Sequence, residues 1–486
     1  MNNHMKYYLV VAFLALVCCV QYSAANEQPN ILFAIADDWG FPHASAYGDP
    51  VVKTPHFDRL AKEGVLFNHA FVSSPSCTPS RGAILTGKYH WQLKGAANLW
   101  SVFPDEFETY PEQLTKKGYF VGFQGKGWGP GKTKTPGRQL TGKRFKNFDQ
   151  FLNQCPDKKP FCYWLGTSDP HRPFKAGSGK ASGMDLSKIV VPGCFPDDKV
   201  IRNDIADYYV EVQRFDALVG KAIQLLEKSG QLENTIIVMT SDHGMPFPRC
   251  KSNLYDTGAR VPLVIRYGKF PGDRKVDDFV SLVDIAPFFL QAASKASIEN
   301  NALMKILSSS KSGFVLGEER RSVIFGKERH VPSQEAPDMG GYPSRALREE
   351  SYLLIRNYRP DRWPNGTPFP EKAAKKGAWF ADTDNGPTKT YMVANKNKDE
   401  LHRKLYNASF AKRPAIELYD LGRDPDQLKN VANDPGYKEI VARMSKDLQN
   451  RLAAAKDPRA TDNSVDFDGF EYLGGTPKRP RKKKRP

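Results

Sequence analysis

Cys77 stands two residues ahead of Pro79 and four ahead of Arg81, in the run Ser76-Cys77-Thr78-Pro79-Ser80-Arg81-Gly82, and Leu85-Thr86-Gly87 follows. A proline that can take the first helical position predicts a helix start, which puts a thiol and a guanidinium at a helix N-terminus. Unpaired N–H groups and the positive end of the helix dipole favour an anion there, and Arg81 can add a forked grip on an oxyanion. A buried structural cysteine is the plainer reading of such a residue taken alone. A cysteine phosphatase loop needs a longer spacer than the three residues between Cys77 and Arg81.

A second constellation is rich in carboxylates. Adjacent Asp37 and Asp38 repel each other unless a cation lies between them. Asp242, followed by His243, ends another apolar run, and three carboxylates with water or a hydroxyl suit calcium or magnesium. Each aspartate taken singly reads as a helix cap; together they point to a metal.

The elements that must hold these groups alternate. Asn30 to Ala36 is a short apolar run of the kind buried in parallel strands, and it ends in Asp37-Asp38. Helix is predicted from Pro55 to Glu63 and strand from Val65 to Val72, leading into the cysteine loop. Strands over Tyr119 to Phe123 and Lys159 to Leu165 end in Gly125-Lys126-Gly127-Trp128-Gly129 and in Asp169-Pro170-His171-Arg172. The longest helix, Lys199 to Lys228, carries Ile201, Ile205, Tyr208, Val212, Phe215, Val219 and Ala222 on one face. The strand from Thr235 to Thr240 ends in Ser241-Asp242-His243-Gly244. In a doubly wound α/β sheet such C-terminal tips meet at one edge, where ligands bind.

A strand over Ser322 to Gly326 follows, and from about Arg345 the pattern becomes antiparallel. With the strand Ile416 to Leu421 and an amphipathic helix from Tyr437 to about Ala455, this predicts a smaller second unit. The expected division is a leader over 1–25, a catalytic unit over 26–344, a C-terminal subdomain over 345–460 and a disordered basic tail over 461–486.

With 486 residues, 40% hydrophobic and 26% charged, the chain is ordinary globular material, which excludes disorder except at the ends. Tyr7 to Val20 behind Lys6, with Ser23-Ala24-Ala25, reads as a secretory signal, too short for a spanning helix of ~20 residues. Cys18 and Cys19 allow a lipid anchor as a second reading. No other stretch can span a membrane, so an exported, soluble protein is expected. Cys155, Cys162, Cys194 and Cys250 then allow disulfides in three connectivities, with Cys155 and Cys162 close enough for a small loop and Cys250 equally able to stay free. The net charge of +17 is unevenly placed: Lys478, Arg479, Arg481, Lys482, Lys483, Lys484 and Arg485 contribute seven of those charges at the end, which suit a polyanionic glycan or merely a solvated tail. No nucleic-acid-reading motif is present.

C-x-P-S-R followed by L-T-G resembles the signature of the type I sulfatases of the alkaline-phosphatase-like superfamily. The resemblance runs from Asn30 to about Leu452 and includes Asp37-Asp38, Gly125-Lys126, Asp169-Pro170-His171, Ser241-Asp242-His243-Gly244 with Lys251, and Glu417-Leu418-Tyr419-Asp420-Leu421 with Asp424-Pro425 and Asn430. Gly244-Met245-Pro246-Phe247-Pro248 with Asn253-Leu254-Tyr255, Arg172 and the stretch around His330 is similar to the heparan N-sulfatase branch. One departure stands out: that branch has a histidine where this chain has Trp128.

The resemblance implies a doubly wound mixed sheet flanked by helices, with a smaller C-terminal antiparallel sheet and helix. It implies that Cys77 is oxidised to formylglycine by a maturation enzyme, and that one hydroxyl of the hydrated aldehyde attacks sulfur while the other later expels sulfate. Asp37, Asp38, Cys77, Asp242 and His243 then hold one divalent cation, calcium by resemblance, with magnesium or manganese left open by His243. Arg81, Lys126 and Lys251 stabilise the sulfuryl oxygens, His171 protonates the leaving atom, and Arg172 and His330 contact substrate. Trp128 breaks the pattern, because indole cannot accept a proton as the histidine would: either another base takes over breakdown of the intermediate or, the favoured reading, Trp128 stacks on the sugar beside Lys126, with Gly127 and Gly129 leaving it free to project. The expected function is hydrolysis of sulfate esters or sulfamates of a sulfated carbohydrate, with heparan-type N-sulfoglucosamine as the leading substrate. The alternatives are a phosphate or phosphonate ester hydrolase on the same fold and a non-catalytic glycan-binding protein. The oligomeric state is left open.

Overall fold

The computed structural model describes residues 28–294 and 301–475; the leader, with Cys18 and Cys19, and the basic run 478–485 lie outside the described residues. Strands β1 (Asn30–Ala36), β2 (Val65–Phe71), β3 (Ser101–Phe103), β4 (Phe120–Gln124), β5 (Gly131–Thr133), β6 (Lys143–Arg144), β7 (Phe161–Gly166), β8 (Thr235–Ser241), β9 (Leu263–Arg266) and β10 (Arg274–Ser281) precede β11 (Ser322–Lys327), β12 (Ser344–Glu349), β13 (Tyr352–Asn357) and β14 (Ile416–Asp420). Eight of them form one mixed sheet in the order β10-β2-β9-β8-β1-β7-β4-β6.

β1 lies at its heart because Ile31 to Ala36 are all apolar and the amide of Asn30, at its start, is satisfied by Gln231 and the Phe161 N–H. The period of two divides them between two cores. Ile31, Phe33 and Ile35 face the core that holds Phe288 and Phe289, while Leu32, Ala34 and Ala36 face the core under the long helix. Each such large side chain, fully buried, contributes about 1.5–3 kcal/mol. β8, β1, β7 and β4 are adjacent and parallel, so the four polar tips read from the sequence do meet at one edge.

Four helices matter for the site: α1 (Cys77–Thr86), α2 (Lys199–Lys228), α3 (Ile285–Ser294) and α4 (Lys438–Ala454). α2 keeps the expected stripe from Ile201 to Ala222 buried, and Asp198 caps it by accepting a 2.8 Å bond from the Val200 N–H. β11 to β14 form a second, antiparallel sheet, covered by Met444, Leu448 and Leu452 of α4. β11, which the sequence reading set in the larger unit, pairs with β12 there.

One open point is answered and one expectation is corrected. The five described cysteines are all free, so Cys155 and Cys162 close no loop; Cys162 is buried in β7 while Cys155 stays partly exposed. The stretch 461–475 is not a disordered tail either. Phe467 is buried, Asn98 Nδ2 donates to its carbonyl at 2.7 Å, and Arg329 and Arg362 hold Asp468 through its carbonyl and carboxylate, so this strap folds back along the larger unit. Its anchors are backbone carbonyls and one aspartate, which leave no periodic trace in sequence.

Candidate active site

α1 begins at Cys77 itself, so Pro79 is its third residue rather than its first. Proline costs no hydrogen bond at that position, because the first four N–H groups of a helix have no partner within it. Ser76 is the N-cap, yet its hydroxyl does not cap the helix; it lies 2.8 Å from His330 Nδ1. Cys77 to Leu85 are all buried, and Gly87 ends the helix in the left-handed region at φ 66°.

Around Cys77 Sγ, which occupies the place of the nucleophilic atom, the strand tips supply their side chains. His243 Nε2 is 3.3 Å away and Asp37 Oδ1 3.6 Å. His243 Nδ1 faces the Gly244 carbonyl at 3.1 Å, which fixes the proton on Nδ1 and leaves a lone pair on Nε2. That lone pair points at Asp38 Oδ1 at 3.1 Å and Asp242 Oδ1 at 3.7 Å. Asp38 Oδ1 is buried without a hydrogen-bond partner. Lone pairs turned toward one another in this way repel unless a cation lies among them, and donor atoms of Asp37, Cys77, Asp242 and His243 all fall within 4.8 Å of each other. The oxygen-rich set fits a hard divalent ion.

The positive groups interlock with this ring. Lys126 Nζ donates to both oxygens of Asp37, at 2.6 and 2.7 Å. Burial pushes the Asp37 carboxyl up, but Lys126, Arg81, His171 and Lys251 together hold it well below the usual carboxylate range. Burial opposes the charge on Lys126 as well, but Asp37, with Cys77 and Asp242 adding to it, outweighs burial and Arg81 together, raising the ammonium to about 12. Lys251 Nζ bridges Asp38 Oδ2 and Asp384 Oδ2, both at 2.9 Å. Burial pushes the unmodified Cys77 thiol far up despite Lys126 and Lys251, so at neutral pH it is a protonated, poor nucleophile.

Arg81 does not grip an anion as the sequence suggested. Its guanidinium is fully buried and donates to Asp242 Oδ2 at 2.8 Å, to the carbonyls of Lys126 and Gly127 at 3.0 Å each, and to the Ala36 carbonyl at 3.2 Å. It therefore ties α1 to three strand tips and is a positioning residue. Arg172 is also committed elsewhere. It forms a bidentate pair with Asp204 of α2 at 2.8 and 2.7 Å and packs between Phe174 and Phe247, so it does not border the cavity.

The cavity above Cys77 has a volume of about 740 Å³ and is bordered by Asp37, Lys126, His171, Lys251 and His330. His171 Nδ1 donates to the Arg172 carbonyl at 2.6 Å, leaving Nε2 for substrate, 3.9 Å from Asp38 Oδ2. Burial, with Lys251 and Lys327 adding to it, keeps the His330 imidazole well below its ordinary range and hence neutral. Trp128 borders the cavity too, but it does not project freely: its ring packs edge-on against Phe103, and a Cβ on Gly131 would come within 2.7 Å of it. Its Nε1 is buried without a partner beside Gly82 of α1. A group the sequence reading missed is Asp384, which lies in a charged stretch with no periodicity; it borders the cavity, close to Asp38 and His171, and accepts from Lys251.

One ionisable pair supports the site from α2. Glu211 lies against Arg214 and Asp169, and the Asp169 carbonyl accepts the Asp37 N–H at 3.0 Å. Burial raises the Glu211 carboxyl from 4.5 to about 7; Arg214 opposes this, and Asp169 and Asp207 add to it. An acid whose folded value lies above its unfolded one stays protonated in the fold while the unfolded chain ionises, so stability falls as pH rises from about 4.5 to about 7. Glu211→Gln is expected to remove this fall: the melting temperature of the variant minus that of the wild type grows from pH 5 to pH 7.5, as thermal melts across that range would show.

The sulfatase family model matches residues 29–295. The human N-sulphoglucosamine sulphohydrolase is 28% identical over 88% of this chain and 91% of its own. A solved protein in complex with its substrate D-glucosamine-2-N,6-O-disulfate superposes with a TM-score of 0.62 at 18% identity, over 92% of this chain and 100% of its own. The phosphonate monoester hydrolase of Agrobacterium radiobacter superposes at 0.61 and 17%, over 88% and 96%. With its model matching more than half of the residues and the motifs gathered around Cys77, the chain belongs to the sulfatase family.

Proposed function

We propose that the protein hydrolyses sulfate esters or sulfamates of a sulfated carbohydrate, with heparan-type N-sulfated glucosamine as the leading substrate, after Cys77 has been converted to formylglycine. The observation that carries this is the placement of Cys77 at the first position of α1, within reach of Asp37 and His243 and under a cavity bordered by Lys126, Lys251 and His171. Asp37, Asp38, Asp242, His243 and the modified residue 77 would hold the divalent ion, calcium in this reading, which when bound lowers the pKa of a coordinated hydroxyl and offsets charge on a sulfuryl oxygen.

The rest is the work of side chains. Four carboxylates, Asp37, Asp38, Asp242 and Asp384, face three cations, Arg81, Lys126 and Lys251. A divalent ion turns that balance positive, which suits an entering sulfate anion. Lys126 and Lys251 approach the sulfuryl oxygens from the cavity side, already oriented by Asp37 and Asp38, so little reorganisation accompanies the transition state. His171 keeps its Nδ1 proton on the Arg172 carbonyl, so in its doubly protonated form it can give the Nε2 proton to the leaving nitrogen or oxygen and end as the neutral Nδ1–H ring. The subdomain of β12 to β14 with α4, export under the leader, and an external maturation enzyme belong to the same proposal.

Incubation with a panel of defined N- and O-sulfated saccharides, matched phosphate and phosphonate esters and an aryl sulfate, read by mass spectrometry, tests the assignment. Release of sulfate from an N-sulfated glucosamine is expected. Faster turnover of the phosphonate would favour the second reading, which the fold shared with the Agrobacterium hydrolase keeps open. Binding without turnover would leave only a glycan-binding role.

The basic tail supplies a further expected result. Gly475 borders the cavity, and the cationic run begins at Lys478, three residues further along the chain. Removing 477–486 should weaken binding to a long sulfated polymer about tenfold at low salt, and much less at high salt. Hydrolysis of a small aryl sulfate should not change; an equal loss on both would refute a role confined to polyanion capture.

A further inference from the structure

We infer that the outer part of the cavity is a second saccharide subsite, formed by Trp100, Tyr472 and Arg144, which takes the anionic sugar unit next to the one being desulfated. The inference rests on the carbohydrate reading above and extends it from one residue of the substrate to two.

Trp100 is 38% exposed, unusual for so large an apolar side chain, and it borders the same cavity as Lys126 and His171. Its backbone sits in the left-handed region at φ 53°, a conformation that bulky residues seldom adopt and that the surroundings must impose. They do so from both sides. The Leu99 N–H donates to the Arg329 carbonyl at 3.0 Å, and the Trp100 carbonyl accepts from the Leu473 N–H at 2.8 Å. Gly474 then lies against the indole, where a Cβ would come within 2.6 Å of Cγ. The strap thus meets the indole with a residue that has no side chain.

Tyr472 borders the cavity on the same strap, flanked by Lys375 Nζ at 4.9 Å from its ring and by the Arg329 guanidinium at 5.9 Å. Arg144 borders the same cavity and is exposed, and among the described residues no carboxylate pairs with it. Its guanidinium lies 5.6 Å over Phe123. The cavity volume of about 740 Å³ is in the upper part of the usual range for small-molecule sites, about 300–1,000 Å³. Pyranose C–H groups carry partial positive charge and suit the negative faces of indole and phenol rings, while a free guanidinium suits a carboxylate or sulfate in bidentate fashion. A neutral disaccharide would use only the first of these; an acidic or sulfated neighbour uses both.

The test compares kcat and KM on an N-sulfated glucosamine glycoside and on a tetrasaccharide ending in the same unit, for the wild type, Trp100→Gly, Trp100→Phe and Arg144→Gln. Glycine accepts the left-handed backbone, so the first variant removes the indole without straining the turn. The wild type should show the lower KM on the tetrasaccharide. Trp100→Gly should raise that KM about tenfold, as loss of a central aromatic contact does, with kcat and the monosaccharide constants within about twofold. Trp100→Phe should recover most of the loss, and Arg144→Gln should raise the tetrasaccharide KM while flattening its salt dependence. Equal losses on both substrates, or a tetrasaccharide KM insensitive to Trp100 and Arg144, overturn the subsite and leave the sulfatase reading intact. A wild type that cleaves an aryl sulfate but neither saccharide overturns the carbohydrate reading and the subsite with it.

Discussion

Cys77→Ala is expected to abolish turnover, lowering kcat by at least about 10⁴, the scale seen when a covalent nucleophile is removed. The fold should survive. Alanine is the best helix former, the deleted atom is a single sulfur, and α1 keeps its ties through Arg81 to Asp242 and to the carbonyls of Ala36, Lys126 and Gly127. The unmodified thiol offers no substitute, since burial holds it protonated. Peptide mass spectrometry of active wild-type protein should therefore find an aldehyde at position 77. Activity in a preparation carrying only the thiol would end the proposed mechanism.

Asp38→Asn should cost at least about 100-fold in kcat and most of the bound metal. The two oxygens of Asp38 have separate tasks: Oδ1 faces His243 Nε2, and Oδ2 accepts from Lys251. An amide can present its oxygen to only one of them, and its NH₂ then confronts either Lys251 or the cation. Metal content by mass spectrometry, with kcat before and after chelation, measures both effects. In the wild type, calcium should raise the melting temperature by mass action, and the variant should lose that response. Full activity after exhaustive chelation would refute a metal-assisted reaction.

The parts of the site that were legible in sequence are those fixed by local pattern. Apolar runs ending in Asp37-Asp38, Gly125-Lys126 and Ser241-Asp242-His243 show strand tips, and the topology of parallel strands carries them to one edge. What sequence does not show is which way a long side chain turns once it arrives. Arg81 read as an anion ligand because guanidinium suits anions, and Arg172 as a substrate contact by resemblance, yet each meets a carboxylate far along the chain first, Asp242 and Asp204 respectively. Trp128 read as a sugar platform because glycines flank it, whereas Gly131 makes room for the ring to lie inward. Asp384 and the strap from Phe467 to Gly475 sit in stretches without periodicity. Their places are set by contacts with Lys251, Asn98, Arg329 and Arg362, which local pattern does not encode.

The burial of α1 bears on how the proposed formylglycine could be made. Cys77 to Leu85 have no exposed residue, so an external oxidising enzyme would have to reach this segment before α1 docks. Under the proposal, oxidation and docking of α1 would be competing fates of one segment. A chain that docked α1 first would keep the protonated thiol and be well folded but inert. The specific activity of a batch would then report the race between the two steps, and slowing the folding of the nascent chain should raise it.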